Sequence, residues 1–248
     1  MNKFTSLIAS LSLLGLITAS AASANSFQNG DFATNTGNGQ VSVTTTVAGW
    51  YIPAGGYSFL FANGTEDHGA GAVGQYGSLY LWTNNNGGNS AIGTPPSGAG
   101  QFIAIDGAFQ QQPLNQDITG LHIGKTYTVG FDYGYSQQFA FDGDTIQRLD
   151  VSLGNSAVQS TPQLTNPNHN FTGWYHDSMS FVADSTSETL SFLAYGNLPV
   201  PPFALVAGVT FTPDGVPEPS AWMMTILGVA ALGAAARRRR TQVSPLAA

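Results

Sequence analysis

The chain has 248 residues, room for one large or two small domains, and it is poor in charge: 8% charged residues and a net charge of −7. Between the two termini the only basic residues are Lys125 and Arg148, so the acidic body would repel phosphate backbones, which argues against nucleic-acid binding. There is no cysteine, so disulfides and thiolate metal sites are excluded and core burial alone must stabilise the fold.

The N-terminus, "MNKFTSLIASLSLLGLITASAASA", carries one lysine, a short apolar run from Leu7 to Ile17 and then small residues. The run is too short to span a bilayer comfortably, and Ala22-Ser23-Ala24 fits a small-x-small cleavage pattern. Residues 1–24 therefore read as a secretory signal peptide, a short helix cleaved after Ala24 and served by the secretion machinery and signal peptidase.

The body, residues 25–215, is rich in Gly, Asn, Ser, Thr, Phe and Tyr, which suits β-strands joined by long polar loops. Residues 37–100 hold Gly/Asn-rich loops, "TNNNGGNS" and "GTPPSGAG", between the aromatic islands "GWYIP", "YSFLF" and "YGSLYLW". Long loops of this sort are usually functional or mobile. "GQFIAID" then reads as a buried strand. "KTYTVGFDY" alternates, with Tyr127, Val129, Phe131 and Tyr133 on one face. "RLDVSLG" repeats this through Leu149, Val151 and Leu153. "SMSFVAD" does so through Met179, Phe181 and Ala183, "TLSFLAYG" through Leu190, Phe192 and Ala194, and "GVTFTP" through Val209 and Phe211. Period two with polar alternates means strands with one buried face. No body segment shows helical periodicity, so the expected fold is all-β, a two-sheet sandwich.

Binding chemistry is sought in the aromatics. Sugar rings offer apolar C–H faces to flat side chains, while neighbouring amides and carboxylates bond their hydroxyls. Trp50, Tyr51, Tyr80, Trp82, Trp174 and Tyr175 lie beside glycine turns or polar loops and are the candidate glycan contacts. In "FDGDTIQRLD", Asp142, Asp144 and Asp150 are candidate oxygen ligands for a structural calcium ion, although no Glu closes the loop and an Asp-Gly turn explains the same letters. No cofactor is required. His68, His122, His169 and His176 show no ligand spacing. Hydrolase motifs are missing, and only "EDH", Glu66 to His68, brings acid and base together, in what also reads as a solvated loop.

At the C-terminus, Pro217 and Pro219 hold "VPEPS" extended, as a peptide-processing cleft requires. Ala221 to Ala236 is apolar and predicts a single transmembrane helix, with Trp222 at its outer start. Arg237, Arg238, Arg239 and Arg240 would stay cytoplasmic by the positive-inside rule, followed by a tail, 241–248. The order of Pro-Glu-Pro, span and arginines over 216–240 resembles the PEP-CTERM sorting signal of Gram-negative bacteria, apart from that extra tail. The resemblance implies an exosortase-type transpeptidase as partner, transient anchoring in the inner membrane, and delivery to the cell surface or an extracellular matrix.

A second resemblance covers most of residues 26–213. "NGDF" followed by "AGWYIP", then "GQFIAIDG", "PLNQDITGLHIGKTYTVGFDYG" and "GWYHDSMSFVADSTSETLSFLAYGN", are similar to galactose-binding-like jelly-roll domains. The last strand, "ALVAGVTFT", lacks the acidic pair often found ahead of it. The resemblance implies a jelly-roll body of a glycan-binding or cell-surface kind, but not a particular sugar. The combined expectation is a noncatalytic surface or matrix protein of a biofilm that binds exopolysaccharide. Its rivals are a glycan hydrolase using Glu66 or one of the loop aspartates, and a purely structural matrix component.

Overall fold

A computed structural model describes residues 25–197 and 200–214. The expected signal helix, the sorting segment with its Pro217, Glu218, Pro219 and arginines, and the membrane span lie outside the described residues. Among the described residues there is no helix long and apolar enough to cross a membrane.

Those residues form strands paired antiparallel in two main sheets. The larger has the order β1 (Gly39–Gln40), β2 (Ser58–Ala62), β5 (Gln101–Asp106), β13 (Pro202–Pro213), β7 (Thr126–Gln137), β11 (Tyr175–Val182). The smaller runs β10 (Leu164–Asn166), β8 (Thr145–Leu153), β12 (Ser187–Gly196), β6 (Leu114–Thr119), with β9 (Gln159–Ser160) beside β8. A separate hairpin joins β3 (Ala72–Gly74) to β4 (Gly77–Leu79).

The period-two faces read from the sequence meet between these sheets. Val129, Phe131, Phe181 and Phe211 from the larger sheet share one apolar core with Leu149, Val151, Leu190 and Phe192 from the smaller. Each such side chain contributes about 1.5–3 kcal/mol by leaving water, so the two-sheet sandwich follows directly from the alternation.

The larger sheet departs from a one-faced reading. Phe59, Phe61, Phe102, Ala104, Phe203, Leu205 and Ala207 project from its other side into a second core. Leu79, Leu81 and Ile92 from the Gly/Asn-rich region cover them. Strands buried on both faces read as continuous apolar runs, as "SFLF" and "FIAI" do. The long region 63–99 is thus a cover packed on the sheet. The last strand is also longer than expected, starting at Pro202, and a bulge shifts its register between Ala207 and Thr210.

The "NGDF" turn is a knot at the start of the body. Asn29 and Phe32 take left-handed φ values of 53° and 57°, tolerable for Asn because its side chain bonds the local backbone. The Asn29 amide donates to Thr34 O (3.1 Å) and Ala48 O (2.9 Å). Gly30 lies against β13, where Val209 N–H donates to Gly30 O at 2.8 Å. A Cβ on Gly30 would sit 1.8 Å from Val209 O. Gly30→Ala is expected to cost about 2–3 kcal/mol of unfolding free energy through overpacking. An unchanged urea midpoint would show that the turn yields.

Both ends of the described chain emerge at the same end of the sandwich. Ser26 N–H donates to Thr119 O at 3.0 Å and Asp214 N–H to Thr126 O at 2.9 Å; these threonines close β6 and open β7. At the opposite end lie the loops after Gln137, before Pro202 and after Asp106, fixed there by the pairings Pro202 with Gln137 and Phe203 with Asp106.

Candidate functional site

An open cleft of about 280 Å³ lies at that opposite end, lined by Asp67, His68, Gly69, Tyr80, Asn86 and Phe139. Three loops build it. Leu81 N–H donates to Glu66 O (2.9 Å), Trp82 N–H to Gln137 O (3.0 Å) and Phe139 N–H to Tyr80 O (2.9 Å), so the segment 80–82 is stitched onto the end of β7. The phenol of Tyr80 donates to Gly69 O at 3.0 Å.

The "TNNNGGNS" stretch is an ordered scaffold. Asn86 accepts from Thr83 N–H (2.9 Å) and donates to Leu81 O (2.8 Å). Gly88 passes so close to Thr83 O and His169 O that a Cβ would lie 2.8 and 2.9 Å from them, which is why glycine stands there.

Asp67 anchors the floor. Its side chain is only 3% exposed and accepts from Thr83 Oγ1, from Asn85 Nδ2 at 3.0 Å and from His68 Nδ1. Burial pushes its pKa up, but the hydrogen bonds from Thr83, His68 and Asn85 outweigh that and hold it below the usual aspartate value. Asp67 is therefore an ionised hydrogen-bond acceptor at neutral pH. His68 stands exposed on the rim.

Of the six aromatics named as glycan contacts, only Tyr80 lines this cleft. Trp50 is a core residue, 4% exposed, packed on Phe27, Phe32 and Phe192. Trp82 is sandwiched: His169 stacks on it at 3.8 Å, Phe139 packs at 4.5 Å, and its indole N–H donates to Phe141 O at 3.0 Å. Trp174 is half-buried, packed edge-on against the second core at Phe102 and Phe171. Tyr51 is exposed at the edge of the smaller sheet, its phenol bonded to Asp117 at 3.1 Å. Tyr175 stacks on Tyr133 at the edge of the larger sheet. Trp50 and Trp82 turned inward because large aromatics gain most by leaving water.

The three aspartates named as calcium ligands are not brought together. Asp142 pairs with His169 Nε2 at 2.5 Å, and Asp144 accepts from Asn168 N–H at 2.8 Å. Asp150 lies six residues further along β8, roughly 20 Å from Asp144 at ~3.3 Å per residue. There it pairs with Arg148 at 2.8 Å and accepts from Ser160 at 2.7 Å. Among the described residues no group of three acids or histidines is placed to hold a metal ion.

The two glutamates of the body, Glu66 and Glu188, lie outside the cleft. Glu66 is 4% exposed and does not line the cleft, and its Oε2 has no partner. Burial raises its pKa. Glu188 accepts the N–H groups of Asp184 (2.6 Å) and Ser185 (2.7 Å) and so closes the turn before β12.

The sequence reading missed Phe139 and Asn86, and also a second exposed aromatic pair. Tyr76 and Phe109, 64% and 44% exposed, lie 6.0 Å apart on Tyr57, with Gln110 donating to the Tyr76 hydroxyl at 3.0 Å. No local periodicity marks these residues, because loops from different parts of the chain bring them together.

Comparison with known proteins gives one local match and several distant likenesses. No curated protein matches the chain. Among solved structures, a CBM4 structure is 17% identical, covers 75% of this chain and 99% of its own, and has a TM-score of 0.34. TmCBM61 in complex with β-1,4-galactotriose is 14% identical over 77% of this chain and all of its own, with a TM-score of 0.37. The N-terminal cellulose-binding domain of Cellulomonas fimi β-1,4-glucanase C is 10% identical over 62% of this chain and 96% of its own, with a TM-score of 0.25. At such scores and identities the likeness assigns neither a ligand nor an activity to this chain. Residues 215–240 match the PEP-CTERM protein-sorting motif, so the body sits directly ahead of a signal for export and sorting.

Proposed function

We propose that the chain is an exported, noncatalytic surface or matrix protein whose body binds exopolysaccharide. An exosortase-type transpeptidase would process it at Pro217-Glu218-Pro219, after the signal peptide is removed at Ala24. The observation that carries the binding reading is the cleft beside Tyr80 and Phe139. Two aromatic walls and the polar Asp67, His68 and Asn86 share one open depression, the combination that a sugar's apolar faces and hydroxyls require. It lies at the end of the sandwich away from both chain ends, where a tether at either terminus would leave it accessible. Calcium is not needed by this reading.

The test uses residues 25–214, which carry both apolar cores, and the producing cell's own polysaccharide, measured by calorimetry with calcium and with a chelator. Saturable binding is expected, weakened roughly tenfold by Tyr80→Ala or Phe139→Ala, in line with ~1.5 kcal/mol for a lost aromatic contact. Tyr51→Ala is expected to bind as the wild type does. Failure of the wild type to bind would end the lectin reading and leave a structural matrix component. Release of reducing ends from the polysaccharide would instead support the hydrolase.

A further inference from the structure

We infer that the end of the sandwich from which both chain ends emerge is a docking surface for the enzyme that processes the Pro-Glu-Pro segment; this rests on the sorting reading above. Asp214 is the last described residue and is held firmly: its N–H donates to Thr126 O at 2.9 Å and its carboxylate accepts the Thr128 hydroxyl at 2.6 Å. Only Gly215 and Val216 separate it from Pro217. Three peptide steps reach at most about 11 Å, at ~3.6 Å each. A peptide-processing cleft grips extended chain on both sides of the bond it cuts. An enzyme working on Pro217-Glu218-Pro219 therefore meets the body around Asp214.

What it would meet there is preformed. The turn between β6 and β7 is pinned by Leu121, which is buried, and by His122 N–H donating to the Tyr127 phenol oxygen at 2.9 Å. Gly124 N–H donates to Ala183 O (2.8 Å) and Ala183 N–H to Lys125 O (3.0 Å), locking it to the end of β11. On this rigid base Ile123 is 68% exposed, more than any other large hydrophobic residue described, and Val182, opposite Thr126, is 56% exposed. Lys125 is the only lysine outside the N-terminal segment. The fold has no use for an isoleucine on a turn tip beside its one lysine. A partner with an apolar spot next to an acidic one does.

The experiment follows the full chain in its producing cells by pulse-chase, reading conversion of the anchored precursor to the processed form. Ile123→Asp with Lys125→Glu is expected to slow conversion at least fivefold, while Ile146→Asp, at the other end of the sandwich, leaves it unchanged. Equal melting temperatures of the corresponding 25–214 bodies show that folding is intact. Six Gly/Ser residues inserted after Asp214 are expected to restore the slowed variant, because the cleft then need not touch the body. Conversion of the double variant at the wild-type rate would overturn the inference alone. So would loss of binding to phosphatidylglycerol vesicles without any change in processing, since the partner would then be the membrane. No processing of the wild type would remove the sorting reading itself, and this inference with it.

Discussion

Trp50→Ala is expected to lower the unfolding free energy of the body by about 3–5 kcal/mol, the range for deleting a large buried aromatic. Against a total of roughly 5–15 kcal/mol for a domain, that is a large share. The indole holds three parts of the chain together. It packs edge-on against Phe27 and Phe32 in the opening turn, at 6.1 and 5.3 Å, and against Phe192 of β12 at 6.1 Å. Its N–H donates to Asn29 O at 2.9 Å, so the variant loses apolar burial, leaves a cavity and strips a partner from a carbonyl in the tight turn. Urea unfolding of residues 25–214 checks it. A loss under 1 kcal/mol would mean that the opening turn is not part of the cooperative core, and that Trp50 is free for another task.

The second large effect is a pH dependence that runs opposite to ordinary acid unfolding. Asp106, at the end of β5, is 1% exposed. Burial pushes its pKa up from 3.8 to about 7, although Ala108 and Phe109 N–H each donate to its Oδ1 at 2.8 Å. Its Oδ2 has no partner. The folded state therefore holds this proton more tightly than the unfolded chain does. Its stability contribution is fully present at low pH, falls as pH rises from about 4 to about 7, and is flat above that. Three pKa units correspond to about 4 kcal/mol, which is a ceiling. Asp67 and Asp150 have lowered values and slope the other way, losing stability only as pH falls through the usual aspartate range and below. Unfolding at pH 5 and pH 8 spans the upper part of the Asp106 window. The wild type is expected to lose stability between them relative to Asp106→Asn. Parallel curves for the two proteins would show the carboxyl already ionised at pH 5. Asp106 also holds the loop that presents Phe109 beside Tyr76, so the same titration reaches an exposed aromatic pair.

Strand existence was legible in the sequence wherever one face is buried, because alternation is a local property. Tyr127 to Tyr133 and Leu149 to Leu153 show it. Legibility failed for β1, β9 and β10, which have two or three residues each and no period to read. It failed differently for the region from 63 to 99. Its glycines and asparagines look like a loose linker, yet they serve close backbone packing, as Gly88 does against Thr83 and His169.

By itself the sequence determined the β architecture of the body, from period-two patterning, and the address of the chain, from the order of Pro-Glu-Pro, apolar run and arginines. Both are written in neighbouring residues. Only the tertiary structure decided which aromatics face solvent. Trp50, Trp82 and Tyr80 all sit beside glycines and polar residues in the sequence. Trp50 is covered by a turn some twenty residues upstream, and Trp82 by His169 from far along the chain, while Tyr80 is left on a cleft wall. Burial of a loop side chain depends on which distant segment lands on it, and no local pattern carries that information.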